Sequence, residues 1–438
     1  MKGAIGNCVK SCRALPAVAV CLFVFASAQA GPAPTYNVID LGTLGGISSQ
    51  ALGINNSGQI VGYAATTNQP HHAAFWANSS SPPIDLGALG GTFGEALGIN
   101  DSGEIVGDAT TPADAEDDAA VWTNHNSGAV DLGSLGGPDG AAQGINGLGQ
   151  MVGYATASNG DTHATFWANS SSSAIDLGTL GGTFGEALGI NGIGQIVGDA
   201  LTTSNAADHA AFWANNSSSA VDLGSLGGTY SGASSINNSG QIVGYAYTTS
   251  NATYHATVWT NTSTGPIDLG TLGGADSQAN GNNGTGQIVG YSQTTSNTDT
   301  HATLWTNSSS SAIVDLNSLI PTNSGWVLQQ ANAINDSGEI VGFGTIGSNT
   351  HAFALVTGSV QSISAPKYVS IWIASTNVFL AFPTISNAFY DVQCTTNLVS
   401  AVWSTIASNI AGTGGIITNT NIGGATVPRR FYHVGAHF

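Results

Sequence analysis

The stretch Ile39 to Trp76, IDLGTLGGISSQALGINNSGQIVGYAATTNQPHHAAFW, decides the fold, because the chain up to residue 359 is that stretch written again. The copies open at Asp40, Asp85, Asp131, Asp176, Asp222, Asp268 and Asp315, at intervals of 45, 46, 45, 46, 46 and 47 residues. A period that regular means one supersecondary unit repeated, each copy burying its apolar face against its neighbours.

Within the first copy four short β-prone runs are separated by turn residues: Val38 to Leu41, Ala51 to Asn55, Gln59 to Ala64 and His72 to Trp76. Asn55-Asn56-Ser57-Gly58 between two apolar runs predicts a tight hairpin. The segment between Trp76 and Ile84 is rich in Asn, Ser and Pro and varies between copies, as an outer loop does. No run has a 3.6-residue period long enough for a helix, so the chain reads as all-β. Four strands per unit of about 45 residues predict a seven-bladed β-propeller; a solenoid of stacked coils normally uses shorter units and capping ends. The phase agrees with a ring, since Ile39 to Leu41 lacks a Trp strand before it and His351 to Leu355 lacks an Asp-Leu strand after it. Pairing the orphan with the vacancy removes an exposed edge. The Gly-Gly pairs, Gly45-Gly46 among them, read as sharp crossings between blades.

The segments DLGTLGG, ALGIN, SGQIVGYA and HAAFW resemble the HAF-type extracellular repeat of bacteria, and Asp315 to Leu355, with His351-Ala352-Phe353, resembles that family's terminal unit. The resemblance covers residues 36 to about 356. It implies export and a repeat fold, and carries over no catalytic residue.

Outside the repeats, residues 1–30 read as a secretory signal peptide: Lys2, Lys10 and Arg13, an apolar run from Leu15 to Phe25, then Ala28-Gln29-Ala30. Cys21 is a poor lipidation site, with Val20 before it and apolar residues after it. Cleavage leaves Cys394 as the single cysteine, so no intrachain disulfide forms, and leaves no membrane-spanning segment. Residues 31–359 then form the propeller and residues 360–438 a small β-sandwich. In the latter Tyr390-Asp391-Val392-Gln393, Thr396-Asn397-Leu398, Trp403 and Arg430-Phe431-Tyr432 resemble fibronectin-III-like modules.

Charge narrows the partners. Between Gly31 and Pro366 there is no Lys or Arg, against 24 of the chain's 25 acidic residues. Nucleic acid is excluded, since phosphate neutralisation needs Lys or Arg, and an anionic membrane repels such a surface. Neutral glycans, proteins or peptides of opposite charge, and calcium remain.

The repeated rows read as structural. His72, His163, His209, His255, His301 and His351 stand one per blade, with Asp118 in their place in the second copy, and the ring symmetry spreads them apart. The opening aspartates accept backbone N–H groups beside a turn. Trp76, Trp122, Trp167, Trp213, Trp259 and Trp305 form core between blades, the alternative being an exposed ring that stacks on sugars. Turns such as Asn100-Asp101-Ser102-Gly103-Glu104 offer too few oxygens for a calcium loop. The calcium candidate is the nonrepeated acidic loop Asp114, Glu116, Asp117 and Asp118. Gly-x-Ser-x-Gly, a zinc-spaced His pair and an active-site cysteine are missing, and the sequence pairs no nonrepeated acids outside that loop. The chain therefore reads as a non-enzymatic secreted or cell-surface binding or scaffold module. A carbohydrate-active hydrolase or lyase at the channel mouth is the competing class.

A repeat region with 24 acids and no Lys or Arg should repel itself. The melting temperature of the chain from Gly31 is expected to climb as salt rises from about 10 mM to about 0.5 M, over which the Debye length shrinks from about 30 Å to a few Å. A flat or falling curve contradicts unrelieved repulsion.

Overall fold

The computed structural model describes residues 19–22, 36–357 and 370–437, apart from short stretches within them: 68–70, 261, 263, 297–298, 307–312, 385–388, 397–403, 412, 414, 423 and 427–428. Among these residues the chain is all-β, interrupted only by single 3-10 turns such as Pro112–Asp114 and Leu316–Leu319. No described helix is long and apolar enough to cross a membrane. Contacts divide the chain into Pro34–Gly358 and a second unit containing Ser359–Phe438 together with the residues before Pro34.

Each repeat builds an antiparallel four-stranded unit. In the first, Gly45–Ile54, Ile60–Thr66, His71–Trp76 and Ile84–Gly87 lie side by side. The innermost strand starts earlier than its apolar run suggests, because the Gly-Gly pair belongs to it. Gly45 takes a φ of +104°, and a Cβ on Gly46 would lie 2.7 Å from the Ala65 carbonyl oxygen. Gly62 in the second strand is tighter still: a Cβ there would meet the Gln50 carbonyl oxygen at 2.0 Å, and the same glycine recurs in every repeat. The hairpin forms as the Asn-x-x-Gly spacing predicts, with the Asn55 carbonyl accepting from the Gly58 N–H at 3.0 Å and Gly58 at a φ of +76°.

The last repeat supplies three strands, Trp326–Ile334, Ile340–Ile346 and Asn349–Thr357. Its fourth comes from the start of the repeat region: Tyr36–Asp40 pairs antiparallel with Asn349–Thr357, from Tyr36 opposite Thr357 to Asp40 opposite Phe353. The orphan strand and the vacancy are thus partners.

Two rows of side chains tie each unit to the next. Each hairpin asparagine is buried, its Oδ1 accepting N–H groups of its own turn and its Nδ2 donating to the backbone carbonyl of the corresponding asparagine one repeat on. Asn55 reaches Asn100 at 2.9 Å, and the chain of bonds continues through Asn146, Asn191, Asn237, Asn283 and Asn335. Asn335 donates back to the Asn55 carbonyl at 3.2 Å. Further out, the tryptophans are fully buried and their indole N–H groups donate to a carbonyl of the preceding unit, as Trp76 does to Leu41 at 2.7 Å and Trp122 to Leu86 at 2.9 Å. This burial overturns the alternative of an exposed, sugar-stacking tryptophan ring.

In the second unit Ser370–Ala374, Asn377–Pro383 and Ile416–Asn421 form one sheet. Phe389–Thr395 lies between Ser404–Ala411 and Arg429–His437 in another. Alternate residues of both, including Val378, Leu380, Phe382, Tyr390, Val392 and Tyr432, share one core. Ala19–Leu22, from the stretch read as a leader, runs parallel to Arg429–His437. The rest of that stretch, its cleavage site included, lies outside the described residues, as do Asn397, Leu398 and Trp403.

Asn191→Ala strips a buried amide that accepts from Ile193 and Gln195 and donates to Gln195 and Asn237. Equilibrium denaturation is expected to show a loss of about 2–4 kcal/mol, from the orphaned buried groups. The exposed neighbour Asn238→Ala should cost well under half of that, and equal costs would mean that the asparagine row is not a structural tie.

Candidate functional site

Most repeated polar groups are satisfied internally. The histidine and aspartate rows pair with each other: His72 Nδ1 lies 2.8 Å from Asp85 Oδ2, and the same pairing joins His163 to Asp176, His209 to Asp222, His255 to Asp268 and His301 to Asp315. His351 pairs with Asp40 at 3.0 Å, across the junction of last repeat and first. The second oxygen of each aspartate accepts the N–H two residues on, as Asp85 does from Gly87 at 2.8 Å. At the pair His255–Asp268 the hydrogen bond raises the imidazole, while that bond and the Gly270 N–H outweigh desolvation and lower the carboxyl. In the second repeat Asp118 takes the histidine's place opposite Asp131. Burial, followed by the charges of Asp131, Glu116, Asp139 and Asp117, pushes its carboxyl up to about 6.

The acidic loop does not gather its carboxylates. Asp114, though exposed, folds back onto the neighbouring threonines and accepts from the Thr92 N–H at 2.7 Å and from the Thr92 and Thr110 hydroxyls, both at 2.8 Å; these donors lower its pKa. Glu116 is exposed, and Asp117 and Asp118 are consecutive in the strand Asp117–Trp122, so their side chains point to opposite faces. Among the described residues no three His, Cys, Asp or Glu side chains are arranged to hold a metal ion. The turn acids likewise have partners: Asp101 accepts from the Asn56 N–H at 2.8 Å, and Glu104 from Asn100 Nδ2 at 2.8 Å.

The reading that no nonrepeated acids pair needs correction. One position of the second strand reads Tyr63, Asp108, Tyr154, Asp199, Tyr245, Tyr291 and Phe343 through the seven repeats. Where it is aspartate, the cross-strand residue is glutamate: Glu95 lies opposite Asp108, and Glu186 opposite Asp199. A third acid, Asp117 or Asp208, stands near each pair. Asp199 is 7% exposed and hydrogen-bonds through its side chain to both Glu186 and Asp208. Two carboxyl groups bond only if one keeps a proton. Burial first, then its acidic neighbours, hold Asp199 well above the usual carboxylate range; burial, again the largest cause, raises Glu186 and Asp208 as well. In the second repeat, burial and then Glu95 and Asp117 push Asp108 up to about 7, and Glu95 is raised by burial and Asp117.

Next to the second acid cluster, the fifth and sixth repeats carry a group of tyrosines. Tyr230, 48% exposed, is the Cα partner of Asp208 across a parallel bridge. Ring centroids of Tyr230 and Tyr247 are 5.4 Å apart, those of Tyr247 and Tyr254 5.3 Å, and those of Tyr245 and Tyr254 5.8 Å. The Tyr254 and Tyr291 hydroxyls meet at 3.0 Å. Burial, then the charges of Asp199 and Asp208, raise the Tyr245 phenol.

The innermost strands of all seven repeats line a cavity of about 250 Å³. Leu52, Leu97 and Leu188 face it from the early repeats, and Ser234, Asn280 and Asn332 from the later ones. None of its lining residues is titratable.

No protein-family model matches the chain, and no curated protein sequence is similar to it. Among solved structures, "YCF48 bound to D1 peptide" is similar at 9% identity over 75% of this chain and 96% of that one, with a TM-score of 0.36. An AofleA mutant from Arthrobotrys oligospora is similar at 12% identity over 90% and 94% of the two chains, with a TM-score of 0.33. The six-bladed β-propeller lectin of Aleuria aurantia is similar at 12% identity over 87% and 96%, with a TM-score of 0.21.

Carboxyls raised on folding bind more protons in the folded chain than their ordinary unfolded value near 4 allows, so their stabilisation is full below about pH 4 and is lost as pH rises through the folded values, about 6 for Asp118 and 7 for Asp108. The raised His255 acts in the same direction at higher pH, and only lowered groups such as Asp268 and Asp114 lose stability in acid. The melting temperature is therefore expected to peak near pH 5 and to be several degrees lower at pH 8. Asp118→His supplies the missing partner for Asp131 and should raise it at pH 6. A stability maximum above pH 7, or a destabilised Asp118→His, contradicts these assignments.

Proposed function

We propose that this chain is an exported, non-enzymatic binding module: a seven-bladed β-propeller of HAF-type repeats followed by a small β-sandwich, acting outside the cell. The return of the asparagine row from Asn335 to Asn55 and the strand exchange at Tyr36–Asp40 support the ring. Export rests on the basic, apolar and A-x-A pattern at the N-terminus, and the extracellular setting on the repeat resemblance.

The observation that carries binding is where the repeat is broken. Histidine, aspartate, tryptophan and asparagine rows meet internal partners, and the departures from the repeat fall in two acid clusters, of which Glu186, Asp199 and Asp208 stand beside Tyr230, Tyr245, Tyr247 and Tyr254. Tyr230, half-exposed, and its partly buried neighbours give rigid, amphipathic contact area for a glycan or a peptide. Hydrolysis fits less well. A glycosidase keeps its two carboxyl groups about 5 Å or more apart around the scissile bond, whereas Asp199 hydrogen-bonds directly to its acidic neighbours. The central cavity offers no acid or base on its lining.

The test is a glycan and peptide array probed with the chain from Gly31 and with a Tyr230→Ala/Tyr247→Ala variant. The reading expects a retained ligand class that the double variant loses while its melting curve stays cooperative. Binding indifferent to both tyrosines would move the site elsewhere, and turnover of a polysaccharide abolished by Asp199→Asn would make the chain an enzyme.

A further inference from the structure

Resting on that reading, we propose that the patch at Glu186, Asp208 and the tyrosines Tyr230, Tyr247 and Tyr254 recognises an alkylammonium group, the side chain of a lysine-bearing peptide, and takes it up in exchange for a proton.

Three independent observations converge on a cation. The first is aromatic: four tyrosine rings stand within 6.4 Å of a neighbour, and Tyr230 is 48% exposed. Electron-rich ring faces attract ammonium groups within about 6 Å of the centroid. The second is a buried carboxylate oxygen, Asp208 Oδ1, to which no N–H or hydroxyl group donates, its side chain having the Asp199 carboxyl as its neighbour. The third is that the repeat region has no lysine or arginine of its own to offer. Between Gly31 and Pro366 there is no Lys or Arg, and the nearest imidazole, His209, is held by Asp222 at 2.9 Å. A divalent metal is a poorer fit, because among the described residues no three donors are arranged for one, and tyrosine ring faces give such an ion nothing.

The exchange follows from the strand register, which sets Glu186 opposite Asp199 and Asp208 on the next strand opposite Leu201. The groups facing the pair Glu186–Asp199 are Asp208, His209, Tyr154 and Tyr245; beyond Tyr245 lie Tyr247, Tyr254 and Asp276. With no lysine or arginine beside them, Asp199 keeps its proton and donates it to its carboxylate neighbours. An arriving ammonium ion replaces that proton as the positive charge, the proton leaves to solvent, and total charge balances on both sides. The second repeat is an internal control. Glu95, Asp108 and Asp117 also form an acid cluster, but it lacks the exposed tyrosine group.

The experiment is titration calorimetry of the chain from Gly31 at pH 6 and 0.15 M salt. The probe is a tetralysine peptide, run in two buffers of different ionisation enthalpy, with its fully acetylated form as the neutral control. The expected result is saturable binding with close to one proton released per site. Tyr230→Ala/Tyr247→Ala should weaken it at least about tenfold. Asp199→Asn should remove most of the proton release while the fold persists, and Asp108→Asn should change neither. Binding without proton release, binding equally sensitive to Asp108→Asn, or no binding overturns the exchange. A neutral oligosaccharide that binds and is lost in the tyrosine variant would leave the binding-module reading standing while this inference falls; a peptide captured regardless of the tyrosines would mean diffuse attraction to an acidic surface.

Discussion

Everything in the repeat region depends on one hydrogen bond made seven times: a buried asparagine amide donating to the backbone carbonyl of the same asparagine one repeat on, at 2.9–3.2 Å. The same residue organises its own turn through Oδ1, so a single side chain fixes both the hairpin and the spacing between units. Burial makes the bond obligatory, since an unpaired amide there would lose water without replacement. Glycine in the neighbouring strand lets the backbones approach closely enough, and the tryptophan N–H repeats the tie further from the axis.

A protein held this way needs no lysine, arginine or disulfide. Its charges are handled locally instead. Six aspartates carry a histidine on one oxygen and a backbone N–H on the other, so the most regular acids are also the best partnered. The acids outside that scheme, above all Glu95, Asp108, Glu186 and Asp199, sit between strands with only each other and tyrosines nearby. They cost stability at neutral pH. Placing such a cost in two repeats of seven, and flanking one of them with exposed tyrosine, is what a ligand site looks like in an otherwise uniform scaffold.

The architecture was legible in the sequence because the repeat makes the same statement seven times, and even the strand exchange could be read from where the phase starts and stops. The acid clusters were not, since Glu186 and Asp199 are 13 residues apart and meet only once the strand register is known. A signal did exist: GEALGIN followed by VGDA appears in the second and fourth copies, where the first has SQALGIN and VGYA. Substitution at two repeat positions joined by the hairpin is the trace of a cross-strand pair. The visible acidic run stays spread out for the opposite reason. Neighbours in a strand point apart, and Asp114 was needed by the threonines beside it.

The proposed ring joins its last repeat to its first through Tyr36–Asp40 and the Asn335–Asn55 bond. Amide hydrogen exchange, read peptide by peptide in the chain from Gly31 and in a variant lacking residues 36–40, tests it most directly. Closure predicts that the deletion exposes amides in both Trp326–Thr357 and Gly45–Ile54, which are far apart in sequence, and leaves the middle repeats protected. If exchange rises nowhere, or only beside the deletion, the ends do not meet and the account fails.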